Sequence, residues 1–557
     1  MSNFTPSNHY WPETHVVENL PKPLEGFNAY TSDEALSQIV TKLSGPNNSN
    51  LEEFGRLCGG ASTIELGFQA NQQKPELHTH DRYGNRVDEV RFHPAYHELM
   101  RLSSENGLHC EHWETSNEGH HVVRAAKSYL MTQVEAGHGC PITMTAASIP
   151  ALKNDDALYK EWAPKILSRD YDGRNVPHTE KRSVTIGMAM TEKQGGSDVR
   201  SNTTFAKKVS EDSSGREYEL VGHKYFVSAP MCDAFLVLAK TELRISCFLV
   251  PRWRPDGSKN PLQIQKLKNK MGNVSNASSE TELRGALGWL VGTEGKGIAT
   301  ILEMVAMTRF DCMIGSSAGM RQAVAQATHH CATRAAFGST LRDQPLMQNV
   351  LADLALESEA SLALTMRMAK GLERANTEEH DNLLVRLGTA VGKYWICKRT
   401  PGHAYEAMEC IGGMGVMEDS IMPRLLRESP VNAIWEGSGN VQCLDMLRAM
   451  KQSPKTVEAM IAELELTQGQ HSALDAQILK VKRCFSDSSD LEYRSRSVME
   501  SIALALQASS LFMCGDAKVA EAFCEARLND GTSGLLYGGL SQKVDCSYLI
   551  ERATPHL

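Results

Sequence analysis

A single carboxylate, Glu436, stands between a large aromatic and a glycine-rich turn in Ile434-Trp435-Glu436-Gly437-Ser438-Gly439-Asn440. Apolar, helix-patterned sequence flanks it on both sides. Glycines of this kind let backbone approach a flat or charged ligand closely. A carboxylate beside an indole and away from water has its pKa pushed up, toward that of a useful general base. The stretch therefore predicts Glu436 as a proton-abstracting base facing a bound cofactor. The same residues also read as a plain helix boundary, with an acidic first turn favoured by the helix dipole.

A second stretch, Met188-Ala189-Met190-Thr191-Glu192-Lys193-Gln194-Gly195-Gly196-Ser197-Asp198-Val199, sets adjacent glycines between hydroxyl side chains. Its backbone N–H groups and hydroxyls suit a flavin edge or a pyrophosphate. It is neither a Walker loop nor a Rossmann fingerprint. A third group, His78-Thr79-His80-Asp81-Arg82-Tyr83-Gly84-Asn85 with Phe92-His93-Pro94-Ala95-Tyr96-His97, is rich in metal-ligand types. Its spacing matches no helix-borne ligand pair, so no metal is expected. Side chains bonding to loop and turn backbone are the expectation there.

The elements that position these residues follow from pattern and composition. At 557 residues the chain exceeds one domain, and 41% hydrophobic with 22% charged residues is ordinary for a globular protein with large cores. Low aromatic content (6%) and 24 methionines suit a helix-rich interior, and a net charge of −9 argues against wholesale nucleic-acid binding. No run is expected to span a membrane. The first residues carry neither an apolar secretory core nor an Arg-rich leader. The 14 cysteines are dispersed without any Cys-x-x-Cys pair, as expected for reduced thiols in a cytoplasmic protein.

The fold expected is mainly α with a central β domain, in four parts. Residues 1–183 form an extended arm up to about residue 30, then a helical domain starting at Thr31-Ser32-Asp33-Glu34. Gly137-His138-Gly139-Cys140-Pro141-Ile142-Thr143-Met144-Thr145 is a Gly/Pro-broken segment expected as a turn lining a cleft between helices. Residues 184–294 carry short β-type runs at Glu217–Val221, Tyr225–Val227, Ala234–Leu238 and Ile245–Val250. Turns at Ser213-Ser214-Gly215 and Arg254-Pro255-Asp256-Gly257 separate them, giving a small antiparallel sandwich or barrel. Residues 295–450 form a helical bundle. Residues 451–557 form an extra helical domain, with a helix start at Ser453-Pro454 and an amphipathic helix from Leu491 to Met513.

Taken together, Thr-Glu-x-x-x-Gly-Ser-Asp before a β domain and aromatic-Glu-Gly-Ser after a bundle resemble the acyl-CoA dehydrogenase flavoprotein family. Gly222-His223-Lys224-Tyr225-Phe226-Val227-Ser228 resembles its strand lying against the flavin. Arg334-Ala335-Ala336-Phe337-Gly338 resembles its Arg-x-x-Phe-Gly signature, where Arg and Phe touch the FAD of a neighbouring subunit. Glu409-Cys410-Ile411-Gly412-Gly413-Met414-Gly415 resembles its glycine turn near the pyrophosphate. Lys193-Gln194 inside the first motif, the His-Thr-His-Asp-Arg-Tyr-Gly block and the added C-terminal helices are similar to the family's alkylation-response branch.

The resemblance implies an N-terminal helical domain, a β domain and a four-helix bundle, usually assembled as a homotetramer with FAD. It implies that Glu436 takes the α-proton of an acyl-CoA thioester while the β-hydride goes to flavin N5, the electron acceptor being left open. It implies cofactor contacts at Met188, Met190, Thr191, Gln194, Gly195, Gly196, Ser197, Phe226, Val227 and Ser228. Further contacts are implied at Arg334, Phe337, Gln344, Gly412 and Gly413, and along Ile434, Trp435, Gly437, Ser438, Gly439, Asn440 and Leu444. Three positions depart from the family: Trp435 replaces a Tyr, Pro345 a Gln (Gln344 lies one residue early), and Glu409 a Gln. Trp435 is expected to narrow the acyl cavity.

The branch also implies double-stranded DNA binding through the C-terminal helices. Residues 451–557 hold eleven Lys/Arg against fourteen Asp/Glu, a net of −3, which reads as a solvated helix surface. Arg448, Lys451, Lys480, Lys482, Arg483, Arg494 and Arg496 are the candidates for a basic face. Two readings stay open: a stress-response flavoprotein that also holds duplex DNA, and a conventional acyl-CoA dehydrogenase that does not.

Overall fold

In a computed structural model, residues 14–46, 49–115, 117–209, 216–487, 489–529 and 536–556 are described. The turn expected at Ser213–Gly215 and the first part of the arm lie outside them. From Asn19 onward the arm runs over the body. The Lys22 carbonyl accepts from His329 Nε2 at 2.8 Å, and Gly26 and Ala29 bond to Gly59 and Gly55 carbonyls. Asp33 then caps the helix Glu34–Ser44 by accepting from the Leu36 N–H at 3.0 Å.

Residues 76–91, expected as loop, instead form an antiparallel hairpin, Glu76–His80 with Arg86–Arg91. Polar residues hide it from a periodicity reading, because its strands are mostly half-buried. Asp81 holds its turn, accepting from Tyr83 N–H (2.8 Å), Asn85 N–H (2.9 Å) and Asn85 Nδ2 (2.9 Å). His93 caps the helix Pro94–Glu105, whose Pro94 takes the first helical position. Gly137-His138 is a turn as expected, but Gly139–Leu152 is a helix that carries Cys140 and Pro141 in its first turn.

The central sheet has seven strands. Ala234–Lys240 pairs with Phe205–Lys208 on one side and with Ile245–Pro251 on the other. The path continues through Glu217–Ser228 and Ser278–Val291 back to Ile245–Pro251, so the sheet closes on itself. The expected barrel is present but is not wholly antiparallel, because Ala234–Lys240 runs parallel to both Ile186–Ala189 and Phe205–Lys208. The expected runs 217–221 and 225–227 are one strand, bent at two register shifts. Ala234–Leu238 and Ile245–Val250 lack alternation because both faces are buried: the helices Gly139–Leu152 and Asp156–Ile166 share a core with this sheet.

The long helices Gly297–Thr333, Pro345–Arg374 and Glu379–Ile411, with Gly439–Gln452, form the bundle. The described residues of 451–557, expected as an added domain, do not form a separate core. Their helices share one apolar core with the bundle and the N-terminal helices. Buried ion pairs fasten them: Arg552 to Glu359 at 2.7 Å, and Arg527 to Asp353 and Glu357. The helix Leu491–Cys514 is long and apolar enough to cross a membrane, contrary to expectation. Most of its apolar residues, among them Val498, Ile502, Leu506 and Leu511, are fully buried in the core shared with the bundle, which accounts for its composition.

Candidate active site

Glu436 sits in a tight loop between the short 3-10 turn Val431–Ala433 and the helix Gly439–Gln452. Its φ is +57°, a conformation a non-glycine residue holds only when its surroundings fix it. They do so by backbone capture. Arg309 Nε donates to the Glu436 carbonyl at 2.9 Å, and Gln442 Nε2 donates to the Glu436 and Gly437 carbonyls at 3.2 and 3.0 Å. Lys393, 1% exposed, straddles the loop from the helix Glu379–Ile411, donating to the Trp435 carbonyl at 2.7 Å and the Gly437 carbonyl at 2.5 Å. Arg309 is fixed in turn by Asp445 at 2.9 Å, which Arg386 also grips through both oxygens.

The half-buried carboxyl of Glu436 accepts from Thr308 Oγ1 at 2.7 Å. Burial raises its pKa, and the Thr308 hydroxyl, Lys393 and Arg309 pull the other way. The net direction is upward, which suits a group that must accept a proton near neutral pH. Trp435 is pinned beside it, its Nε1 donating to Asn432 Oδ1 at 2.8 Å.

The glycine loop is held by the bent strand. The Tyr225 N–H donates to the Thr191 carbonyl at 2.8 Å and the Lys193 N–H to His223 Nε2 at 3.0 Å, stitching residues 191–193 to the bent strand. Beneath lies Glu192, fully buried. It accepts from Lys224 Nζ at 2.9 Å and from the N–H groups of Thr203 and Thr204 at 2.6 and 3.1 Å. Burial alone would raise its pKa, but Lys224 and these donors hold it down to about 2. Gln194, itself exposed, donates to Glu192 at 2.7 Å, so its amide braces the loop. Met188 is buried, Met190 and Thr191 half-buried, and Gly196 and Ser197 exposed.

On the strand, Val227 is buried, Phe226 is 45% exposed, and Ser228 is half-buried with its hydroxyl 3.0 Å from Ser278 Oγ. Burial pushes the Cys140 thiol up to about 12, and Lys270, Glu436, Asn276 and Ser228 all lie close enough to act on it. The strand and the base thus both lie near the first turn of Gly139–Leu152.

A second cluster lies elsewhere. Phe337 and Gly338 have φ of +53° and +90° and form a two-residue turn between Ala335–Ala336 and Ser339–Thr340. Phe337 is wholly exposed at the tip. Gln344 braces the hairpin, donating to the Ala336 carbonyl at 3.1 Å and to Ser339 Oγ at 2.6 Å. Arg334 donates to the Asn19 carbonyl at 2.9 Å. Gly412 ends the helix Glu379–Ile411 with φ +73°, and a Cβ on Gly412 or Gly413 would meet nothing within 4 Å. The Cys331 thiol contacts the Cys410 carbonyl, so the hairpin and the glycine turn sit at one end of the bundle. Thr308 lies in the helix Gly297–Thr333 and Arg334 caps its end, so at ~1.5 Å rise per residue they stand about 39 Å apart. Arg334, Phe337, Gln344, Gly412 and Gly413 therefore do not reach the Glu436 site of their own chain.

The residues Thr308, Arg309, Lys393, Gln442 and Asp445 were not legible as site residues. Each reads as an ordinary helical position, and only the return of the chain at residue 436 gives them their partners. Of the candidate basic residues, Lys482 pairs with Glu465 at 2.6 Å, Arg494 with Asp487 at 3.0 Å and Arg448 with Asp445 at 3.7 Å. Arg496 donates to Asn440 at 2.9 Å, while Lys451, Lys480 and Arg483 are exposed.

Half of the site fits a flavin dinucleotide well. The helix Gly439–Gln452 begins without a side-chain cap, leaving first-turn N–H groups for an anion, and Ile434 (68% exposed) and Phe226 offer apolar surface. A closed β barrel beside a helical bundle, with a poised carboxylate between them, defines a flavin-dependent acyl-group dehydrogenase. Comparison with known proteins is specific. "Adaptive response protein AidB N-terminal domain" matches residues 19–173. "Acyl-CoA dehydrogenase, middle domain" matches 187–286 and "Acyl-CoA dehydrogenase, C-terminal domain" matches 295–451. The AidB protein of Escherichia coli (strain K12) is 43% identical over 93% of this chain and 95% of its own. Among solved structures, Caenorhabditis elegans ACDH-11 in complex with C11-CoA superposes with a TM-score of 0.83 at 26% identity, covering 93% of each chain. Bd2924 in its apo form gives 0.82 at 27% identity, covering 90% of this chain and 99% of its own. The chain belongs to the acyl-CoA dehydrogenase family of FAD-dependent oxidoreductases, in its AidB-like branch.

Proposed function

We propose that Glu436 removes the α-proton of an acyl-CoA thioester, and that bound FAD supplies the acceptor for the β-hydride. The observation that carries this is a half-buried carboxyl with a raised pKa, held by Thr308 close to the Cys140 thiol that Ser228 also approaches. Thr308 orients the carboxyl, and Lys393, Arg309 and Gln442 fix its backbone. The C11-CoA complex of the C. elegans relative supports an acyl-CoA substrate. Glu436→Gln should retain FAD yet lose acyl-CoA-driven bleaching of the flavin by several orders of magnitude. Bleaching no slower than in a surface variant would refute the assignment.

The cluster of Arg334, Phe337 and Gly412, whose Arg334 stands about 39 Å from Thr308 by helix rise, serves the FAD of a neighbouring copy in a homotetramer. A monomer in light scattering that still holds FAD at full occupancy would overturn that arrangement. The likeness to AidB supports a role in the response to alkylating agents. Lys480, Arg483 and Arg496 would supply its duplex contact, on the neighbouring helices Ser472–Ser486 and Leu491–Cys514. Duplex retention should fall steeply with salt and weaken on reversing these charges. Salt-independent or absent retention would leave the conventional dehydrogenase reading.

A further inference from the structure

A cavity of about 430 Å³ opens between the Arg86–Arg91 strand, the helix Pro94–Glu105, the segment 171–175 and the Ala229–Cys232 turn. It falls in the size range of small-molecule sites, roughly 300–1,000 Å³. Pro141 lines it from the helix that carries Cys140, whereas neither Glu436 nor Ser228 does. One wall is apolar: the stacked rings of Phe92 and Tyr96, 4.3 Å between centroids, with Met100 and Met231.

The polar lining is already paired. Arg174 grips Asp172 through two bonds of 2.8 and 2.7 Å, Lys181 bonds Asp233 at 2.7 Å, and Arg91 bonds Glu89 at 3.1 Å. An anionic ligand would have to break one of these pairs, and a cation would find no carboxylate unengaged. What the cavity does offer is the His97–Tyr171 contact, 2.8 Å between Nδ1 and the phenol oxygen. Burial lowers the His97 pKa and raises that of Tyr171, so both are neutral. With the Tyr171 hydroxyl donating to Nδ1, its oxygen remains an acceptor and His97 Nε2–H a donor.

We infer that this cavity is a second small-molecule site, separate from the flavin cleft, for a neutral aromatic compound carrying one hydroxyl or amide-like group. The ring would lie along Phe92 and Tyr96 and the polar group would meet His97 and Tyr171.

The test uses the full-length, FAD-loaded protein and equilibrium dialysis with 1-naphthol and 1-naphthoate. Saturable retention of 1-naphthol is expected, with 1-naphthoate bound far more weakly. Tyr171→Phe should weaken 1-naphthol by up to about tenfold, the loss of one hydrogen bond, and Met231→Trp should abolish retention by filling the space. Circular dichroism and flavin absorbance establish that each variant is folded, and Tyr171→Phe carries the test if Met231→Trp is not. Equal or tighter binding of 1-naphthoate would overturn the proposal, as would retention unaffected by either substitution. Displacement of 1-naphthol by acyl-CoA with a shift in the flavin spectrum would place the compound in the flavin cleft and refute a separate site, leaving the role of Glu436 intact.

Discussion

Thr308→Val keeps the shape of the side chain and removes the hydroxyl that donates to Glu436 Oε2 at 2.7 Å. A hydrogen bond to a charged group contributes about 1.5–3 kcal/mol, and each pKa unit corresponds to about 1.36 kcal/mol. The full loss would raise the carboxyl by roughly one to two units. The lower figure is the better one, because the Thr308 oxygen also lies 3.1 Å from the Val305 carbonyl. When Glu436 is protonated, the hydroxyl turns to Val305 and accepts from the carboxyl, so it supports both charge states. The base works deprotonated, and a raised pKa moves the acidic limb of its rate profile to higher pH. Acyl-CoA-driven flavin bleaching, followed by stopped flow from pH 5 to 9, should show that limb displaced upward by about one unit, with the plateau at high pH retained. A limb that stays in place, or that moves equally in Thr300→Val, would refute the reasoning.

Other measurements probe the frame. Glu192→Gln leaves Lys224, 1% exposed, without its charge partner, and should cost about 3–5 kcal/mol in denaturant unfolding; a loss under about 1 kcal/mol would show that the pair is dispensable. The buried histidines His109 and His121 are pushed down to about 4 and about 3 by burial, and His112 well below its usual range. They stay neutral in the fold but take protons at about 6.5 once unfolded. Their contribution is therefore complete above that pH and is lost as pH falls toward 4, by up to about 1.4 kcal/mol per histidine per unit. His121→Phe should lower the midpoint of acid unfolding followed by circular dichroism, and an unchanged midpoint would exclude this source of acid sensitivity. Phe337→Ser touches nothing in its own chain, so thermal stability of a dissociated subunit should hold while the assembled mass in light scattering and FAD retention both fall; an unchanged mass would remove Phe337 from the interface.

What could be read from the sequence and what could not divides along physical lines. The barrel strands were legible because Ala234–Leu238 is an unbroken apolar run of strand length and Ile245–Val250 is one interrupted only by Ser246. Their partly parallel order was not, because residues far apart in the chain decide which strand lies beside Ala234–Lys240. The hairpin 76–91 escaped because its half-buried strands carry His, Arg and Glu where apolar residues would mark a buried face. The C-terminal helices were recognised one by one. Their fusion with the bundle core rests on Arg527, Arg552 and Gln507, whose acceptors Asp353, Glu359 and Ser361 lie more than a hundred residues away. At the site, Glu436 announced itself through its aromatic and glycine neighbours, but the helical residues that hold it did not.

Two carboxylates of the candidate site carry opposite assignments for one reason. Glu192 and Glu436 both sit in glycine-bearing motifs and both are withdrawn from water. Glu192 has an ammonium at 2.9 Å and two backbone N–H donors, so its charge is repaid and its pKa falls to about 2. It cannot take a proton near neutral pH and serves to hold the glycine loop against the strand. Around Glu436 the nearby cations are spent elsewhere: Lys393 on the Trp435 and Gly437 carbonyls, Arg309 on Asp445 and the Glu436 backbone. Their charge reaches its carboxyl only at a distance, burial prevails, and the pKa rises. The positive φ follows from the same arrangement, because it turns the backbone carbonyls toward those cations and leaves the carboxyl one neutral donor, Thr308. By engaging the cations with backbone, the loop keeps its single acid basic enough for the proton abstraction proposed for it.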